Sequence, residues 1–332
     1  MGTLREETKS TCRRVGAIDC GTNSIRLLVA DNINGVLHDV VPRRTNINRL
    51  GFGVDRTCQF DDDALEKTFI FEKEYSDVLL ECGVDKENLR FIATSAARDA
   101  VNRDVFLETT HSILGVIPEI IDGTEEAYLS FSGASSVLNP SEDICLVIDL
   151  GGGSTEIIVG DTEVLGAYSM NIGSVRITER YFEDVEAYPS NQQISTAVKD
   201  INLSIDNAFA ALKEQNADIN MANRVIAVAG TVTTLTAHAL NLPKYMRERI
   251  SGASISYSQN LKSADAILRS TKEQLSQMPF INPGRVDVIW AGALIWKVLL
   301  ERIKLEFEVI GKNLDYTTTS EHDILDGIAL SI

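Results

Sequence analysis

One segment of this chain occurs twice. Ile18-Asp19-Cys20-Gly21-Thr22-Asn23-Ser24, followed by Ile25 through Asp31, aligns without gaps with Ile148-Asp149-Leu150-Gly151-Gly152-Gly153-Ser154, followed by Thr155 through Asp161. Ile, Asp, Gly, Ser, Val and Asp fall at matching places. Each copy reads as an apolar strand ending in an acid, a tight glycine turn and a second apolar strand, which is the pattern of a β-hairpin. Two such copies opening two halves predict a duplicated α/β domain with a cleft between the halves. Glycines in the turns let backbone N–H groups converge on an anion, and Ser24 and Ser154 add hydroxyl donors. Asp19 and Asp149 cannot bind an anion directly, but each can hold a cation that does. The plainer alternative is a hairpin whose Asp caps its own turn.

At about 150 residues per domain, 332 residues fit two domains. The formal net charge of −17 argues against a general nucleic-acid binder. Met1 to Arg14 lacks the apolar core of a signal peptide, and the longest apolar stretches are broken by Asp19, Arg26, Asp287 and Lys297, so no membrane span is expected. Cys12, Cys20, Cys58, Cys82 and Cys145 are scattered and form no CxxC, which suits reduced thiols in a cytoplasm. His38, His111, His238 and His322 show no metal-ligand spacing, so zinc is not expected.

The remaining pattern alternates helix and strand. Helices are predicted over Asp61–Cys82, after Arg98, from near Glu125, over Gln192–Lys213, after Gly230-Thr231, and over Glu321–Ser331 with Ser320 as N-cap. Strands are predicted at Leu89–Ala93, Pro118–Ile121 and Val225–Ala229, with a domain junction near Asn139-Pro140.

The set Ile18-Asp19-Cys20-Gly21-Thr22-Asn23-Ser24, Ala93-Thr94-Ser95-Ala96-Ala97-Arg98, Asp122-Gly123-Thr124-Glu125-Glu126-Ala127 and Ile148 through Glu156 resembles the exopolyphosphatase / guanosine pentaphosphate phosphatase family. Ala229-Gly230-Thr231-Val232-Thr233-Thr234, Pro283-Gly284-Arg285-Val286-Asp287 and Ser320-Glu321-His322-Asp323 continue the resemblance in order. It implies an α/β fold of duplicated actin-like (ribonuclease H-like) domains flanking an interdomain cleft. The expected division is residues 1–137 and 138–319, with a final helix at about 320–332 packing back on the first domain by analogy. It also implies Mg²⁺-dependent (Mn²⁺ as the alternative) release of terminal phosphate from inorganic polyphosphate, or of the 5′ terminal phosphate from guanosine pentaphosphate. A phosphotransferase or a non-catalytic binder of polyphosphate or nucleotide stays open as an alternative. A homodimer is the expected assembly by base rate alone.

The resemblance carries roles to particular residues. Glu126 matches the general base that deprotonates water for in-line attack, with Glu125 as the alternative; acids in a first helical turn also simply favour the helix dipole. Asp149 and Glu156, with Asp19, fit as metal ligands. Glu156 aligns with Arg26 in the repeat, and a charge on that strand calls for a polar cleft or a partly exposed edge. Arg98 would bind a substrate phosphate, or else pair with Asp99 or Asp104 on the surface. Asn23, Ser24, Gly152, Gly153 and Ser154 would contact phosphate through the turns. Arg43, Arg44, Arg49 and Arg56 are the candidates for a polyphosphate channel, and Lys244, Arg247 and Arg249 form a second basic cluster; both can also be solvated surface charge. The family usually has a more glycine-rich run at Ile289-Trp290-Ala291-Gly292-Ala293, so Trp290 either fills space a nucleoside would use or is ordinary core.

Overall fold

The computed structural model describes residues 12–136 and 143–332. The predicted junction near Asn139-Pro140 lies outside them. Two mixed six-stranded sheets organise the chain. The first contains β1 (Cys12–Cys20), β2 (Ile25–Ile33), β3 (Val36–Asp39), β4 (Arg44–Asn46), β5 (Leu89–Ala93) and β6 (Glu119–Ile120). The second contains β7 (Cys145–Leu150), β8 (Thr155–Gly160), β9 (Val164–Met170), β10 (Arg224–Val228), β11 (Ser254–Ser256) and β12 (Tyr316–Thr319).

The spatial orders are β3-β2-β1-β5-β6 and β9-β8-β7-β10-β12, so the duplication read in the hairpins extends through both sheets. β4 adds to β2, and β11 adds beyond β12. In each sheet the hairpin strands are antiparallel, and the next two strands join the first strand in parallel. The registers also match. Asp19 opposes Arg26 across β1 and β2, and Asp149 opposes Glu156 across β7 and β8.

β7 is buried along its whole length because helices cover both faces of its sheet. Leu146, Ile148 and Leu150 face a large core that includes Trp290 and Trp296, whereas Cys145 and Val147 face the opposite layer. That opposite layer is filled by Ala127, Phe131 and Ala134 of the helix Gly123–Ser135. The same helix turns Leu129 toward the back of the first sheet, where Ile324, Leu325, Ile328 and Ala329 of the final helix also pack. The 123–135 and 324–330 helices therefore cross between the sheets. The crossing is close: a Cβ on Gly133 would fall 1.8 Å from the carbonyl oxygen of Asp323, and one on Gly327 would fall 1.9 Å from that of Leu129.

Most predicted helices occur with shifted ends. The final one starts later than expected, at Ile324, and Asp323 rather than Ser320 is its N-cap. Ser320 is occupied in a local turn, exchanging hydrogen bonds with the backbone of His322. Asp323 accepts from the backbone N–H of Leu325 instead. Among the described residues no helix is long and apolar enough to cross a membrane.

Candidate active site

The two glycine turns meet face to face. Gly21 N–H closes its turn on Ser24 O at 3.0 Å, and Gly151 N–H closes the other on Ser154 O at 3.1 Å. A Cβ on Gly152 would be tight, 3.1 Å from Thr22, and one on Gly153 would clash, 2.4 Å from the Thr22 hydroxyl. Between the turns lies a cavity of about 80 Å³ walled by Asp19, Asn23, Glu126, Asp149, Ser154 and Glu156, among others.

The carbonyls of both turns are tied down from outside. Arg49 and Gly51 donate backbone N–H groups to Asn23 and Thr22. Ser174 donates to Gly151, and Val175 and Arg176 donate to Gly152. A trans peptide points its carbonyl and its N–H in opposite directions. Fixing the carbonyls outward turns the following N–H groups inward. Those of Asn23, Ser24, Gly152, Gly153 and Ser154 find no acceptor among the described residues. The Asn23 side chain is buried with both its amide nitrogen and its oxygen unpartnered. Buried polar groups are rarely left this way, and converging N–H groups suit an anion.

The acids divide into paired and unpaired. Asp19 accepts from Arg26 Nε at 2.9 Å and Nη2 at 2.6 Å, and Arg26 Nη1 reaches Asp323 at 2.5 Å. Asp149 has no such cation; the Ser130 hydroxyl donates to it at 2.5 Å. Glu156 accepts from the Ser169 hydroxyl at 2.7 Å. Burial pushes Asp149 up to about 7, with the charges of Asp323 and Glu126 adding to it. Burial, then Glu126 and Asp149, push Glu156 well above the ordinary range. Glu126 stands at the start of the 123–135 helix, which Asp122 caps through the N–H groups of Thr124 and Glu125 at 2.9 Å. Burial raises the Glu126 carboxyl, and the ion pair with Arg98 at 2.8 Å opposes that rise.

These placements change several expectations. Glu156 is 1% exposed and β9 covers its strand, so it is no edge residue. Glu125 turns outward to pair with Arg90 at 2.8 Å, which removes it as a base candidate. Arg98 pairs neither with Asp99 nor with Asp104; its Nη1 is shared by Ile121 O and Glu126. Asp19 lines the cavity with Oδ2 taken by Arg26. The basic cluster is dispersed by its own ion pairs: Arg43 with Asp39 and Asp326, Arg49 with Asp287 and Arg56 with Glu183. Arg44 is exposed on β4 and lines neither the 80 Å³ cavity nor its larger neighbour. Trp290 is fully buried in the second core, its Nε1 donating to Ser270 O at 2.9 Å, and it occupies no ligand space.

Cation charge reaches the site from residues given no role in the sequence reading. Arg285 lines the 80 Å³ cavity and a neighbouring one of about 540 Å³. Its guanidinium lies where a Cβ on Gly230 would be, 1.9 Å from Nη1, so a side chain at 230 would push that guanidinium aside. The adjoining Ala229 holds φ 70°, a left-handed conformation costly for a residue with a Cβ, at the first residue of the helix Ala229–Ala239. Arg26, aligned with Glu156 in the repeat, and Arg285, within the Pro283–Asp287 segment, were visible in the sequence without a role.

A hard divalent cation suits the donor set. Asp149 and Glu156 are cross-strand neighbours with only hydroxyl partners, and burial, followed by the charge of neighbouring acids, raises both carboxyls. Among the described residues no three or more His, Cys, Asp or Glu are gathered as a ready metal cage. Mg²⁺ is commonly held by one or two carboxylates, with water and phosphate oxygens completing the octahedron.

Comparison with known proteins places this architecture. Exopolyphosphatase 2 of Mycobacterium tuberculosis is 41% identical over 328 residues, covering 96% of this chain and 98% of that protein. A guanosine-5'-triphosphate,3'-diphosphate pyrophosphatase of Photobacterium profundum is 29% identical over 220 residues, 66% of this chain and 42% of that protein. The crystal structure of an exopolyphosphatase-like protein superposes with a TM-score of 0.90 at 43% identity, covering 96% of this chain and 97% of that one. The duplicated actin-like α/β fold is the fold of these relatives. Residues 28–327 match the description of the Ppx/GppA phosphatase family, and the chain belongs to that family.

Proposed function

We propose that this chain is a Mg²⁺-dependent exopolyphosphatase that hydrolyses the terminal phosphoanhydride bond of inorganic polyphosphate and releases orthophosphate. The observation that carries this reading is the placement of unpartnered turn N–H groups and an uncompensated carboxylate pair around one 80 Å³ cavity. An anion site and a cation site in so small a space fit a phosphoryl group with its metal.

Asp149 and Glu156 would hold the Mg²⁺, which when bound neutralises phosphate oxygens and lowers their repulsion of an incoming nucleophile. The N–H groups of Asn23, Ser24, Gly152, Gly153 and Ser154 hold the terminal phosphate and favour the charge that builds on its equatorial oxygens. Glu126 orients a water for in-line attack and takes its proton. Arg98 engages Oε2 and opposes the rise that burial imposes on the carboxyl, which leaves Oε1 as the acceptor in this reading. A bond forms from water to phosphorus, the bridging P–O bond breaks, and the shortened chain leaves as an anion without needing an acid.

The test is phosphate release from long-chain polyphosphate, with and without Mg²⁺, by the wild type and Glu126→Gln. The reading expects release that needs the metal and falls by about 10²-fold or more in Glu126→Gln, the usual worth of a general base. Undiminished release by the variant would remove Glu126 as the base.

A second reading, guanosine pentaphosphate as substrate, is favoured by one feature. The 540 Å³ cavity opens beside the first across Arg26, Gly230 and Arg285, and it combines Phe280, Ile281 and Tyr245 with polar groups. With Trp290 in the core, a nucleoside has room there. Direct competition between the two substrates decides the preference.

A further inference from the structure

Arg176 lies outside both glycine turns, on the short helix Ser174–Ile177 of the second half, with a side chain 11% exposed. Its guanidinium points three ways. Nε donates to the carbonyl of Gly153 at 2.9 Å. Nη1 donates to Asp55, and Nη2 to Asp99 at 2.8 Å. Gly153 belongs to the second half's turn, whereas Asp55 and Asp99 belong to the first half. Arg180 grips the same Asp55 at 2.8 and 3.0 Å, and Glu179 accepts the N–H of Gly53 at 2.7 Å. One rim of the cleft is thus closed by a row of contacts, and Arg176 alone among these residues also holds a turn.

The Gly153 carbonyl and the Ser154 N–H belong to one planar peptide and point oppositely. Pulling that carbonyl out toward Arg176 aims the Ser154 N–H into the cavity. The backbone N–H of Arg176, with that of Val175, does the same for Gly152 O and hence for the Gly153 N–H. The guanidinium fork is rigid, so Nε faces Gly153 in this orientation while the other two nitrogens face their carboxylates. Were the halves to part, Asp55 and Asp99 would withdraw and the fork would keep only the Gly153 carbonyl.

We propose that Arg176 is a positioning residue that makes the aim of the Gly153 and Ser154 N–H groups conditional on closure of the two halves. The inference rests on the phosphohydrolase reading above. It predicts that losing the fork harms the charge-developing step more than substrate binding, because the other turn N–H groups still bind the ground state.

The experiment compares wild type, Arg176→Lys and Asp55→Asn/Asp99→Asn, with the triple combination as the coupling test. Phosphate release is measured alongside binding of vanadate, a mimic of the pentacoordinate phosphorus, and of orthophosphate. The expected result is a kcat lowered at least tenfold with KM within about threefold, similar in Arg176→Lys and in the double variant, and no further loss in the triple. Vanadate should bind at least tenfold weaker while orthophosphate stays within threefold. Urea unfolding checks that each variant is folded. Unchanged kcat and vanadate affinity in a folded Arg176→Lys would overturn the proposal. So would losses that add in the triple, since they would mean that Arg176 acts without Asp55 and Asp99. If the wild type releases no phosphate from polyphosphate, the functional reading fails, and the vanadate comparison still decides the role of Arg176.

Discussion

Replacing Gly327 by alanine sets two physical effects in opposition. Gly327 lies inside the final helix, where alanine is favoured over glycine by about 0.8–1.0 kcal/mol on propensity alone. Packing opposes the change. A Cβ there would sit 1.9 Å from the Leu129 carbonyl oxygen, and real Cβ contacts essentially never fall under 3.0 Å, so the helices must part by at least 3.0 − 1.9 = 1.1 Å. The obstacle is helix backbone and cannot swing aside. Forcing a methyl into a packed site costs about 1–3 kcal/mol, and a backbone clash belongs at the upper end, leaving a net loss of about 2 kcal/mol. The same crossing carries Glu126 on one helix and Asp323 on the other. A misplacement of about 1 Å at a reacting group costs on the order of 10²-fold in rate. Urea unfolding and phosphate release on Gly327→Ala read both effects. A variant that is more stable than wild type with full activity would refute the reasoning, because propensity would then have won at a crossing with no room.

Activity should rise with pH through about 7 and fall below it, because Asp149 must lose its proton to take a metal and burial holds its carboxyl near 7; raising Mg²⁺ should move that limb to lower pH, measured as kcat/KM profiles at two metal concentrations. Glu72 is fully buried, has only the Thr110 hydroxyl as partner and is pushed up to about 8. The folded state keeps a proton that the unfolded chain releases near 4.5, so stability is full below 4.5, is lost as pH rises to about 8 and is flat above; at 1.36 kcal/mol per unit the loss is about 5 kcal/mol as an upper figure. Glu72→Gln should therefore be more stable than wild type at pH 8.5 and equal near pH 4.5, by urea unfolding. Arg43→Ala should cost up to about 3 kcal/mol by leaving fully buried Asp326 with His322 as its remaining charged partner, with KM for polyphosphate little changed in the folded fraction. A large KM rise without destabilisation would restore Arg43 to a substrate channel.

The parts of the site legible in the sequence are those encoded locally. The hairpins, the glycine turns and Asp149 near Glu156 all lie within a few residues of their partners. Arg98 and Glu126 were singled out separately, but not as a pair, because their contact spans 28 positions. Arg26 and Asp323 are 297 positions apart, and no periodicity reports such a meeting. The ion pairing of the basic cluster was hidden for a related reason. A run of arginines shows charge, whereas the acids that neutralise Arg43, Arg49 and Arg56 come from Asp326, Asp287 and Glu183, far along the chain. Trp290 was ambiguous because a large aromatic at helical spacing suits a core and a pocket wall equally; the Ser270 carbonyl that receives its indole N–H decides between them.

The matched registers of the two hairpins have an electrical consequence. Symmetry of backbone was kept while symmetry of charge was broken: one wall of the gap holds Asp19 against Arg26, a neutral couple, and the other holds two like acids, Asp149 and Glu156. The gap between them is therefore crossed by a field whenever Asp149 and Glu156 are ionised. A chain of identical phosphates has no chemical head or tail, yet inside such a field it can lie with its metal-bearing end one way round and not the other.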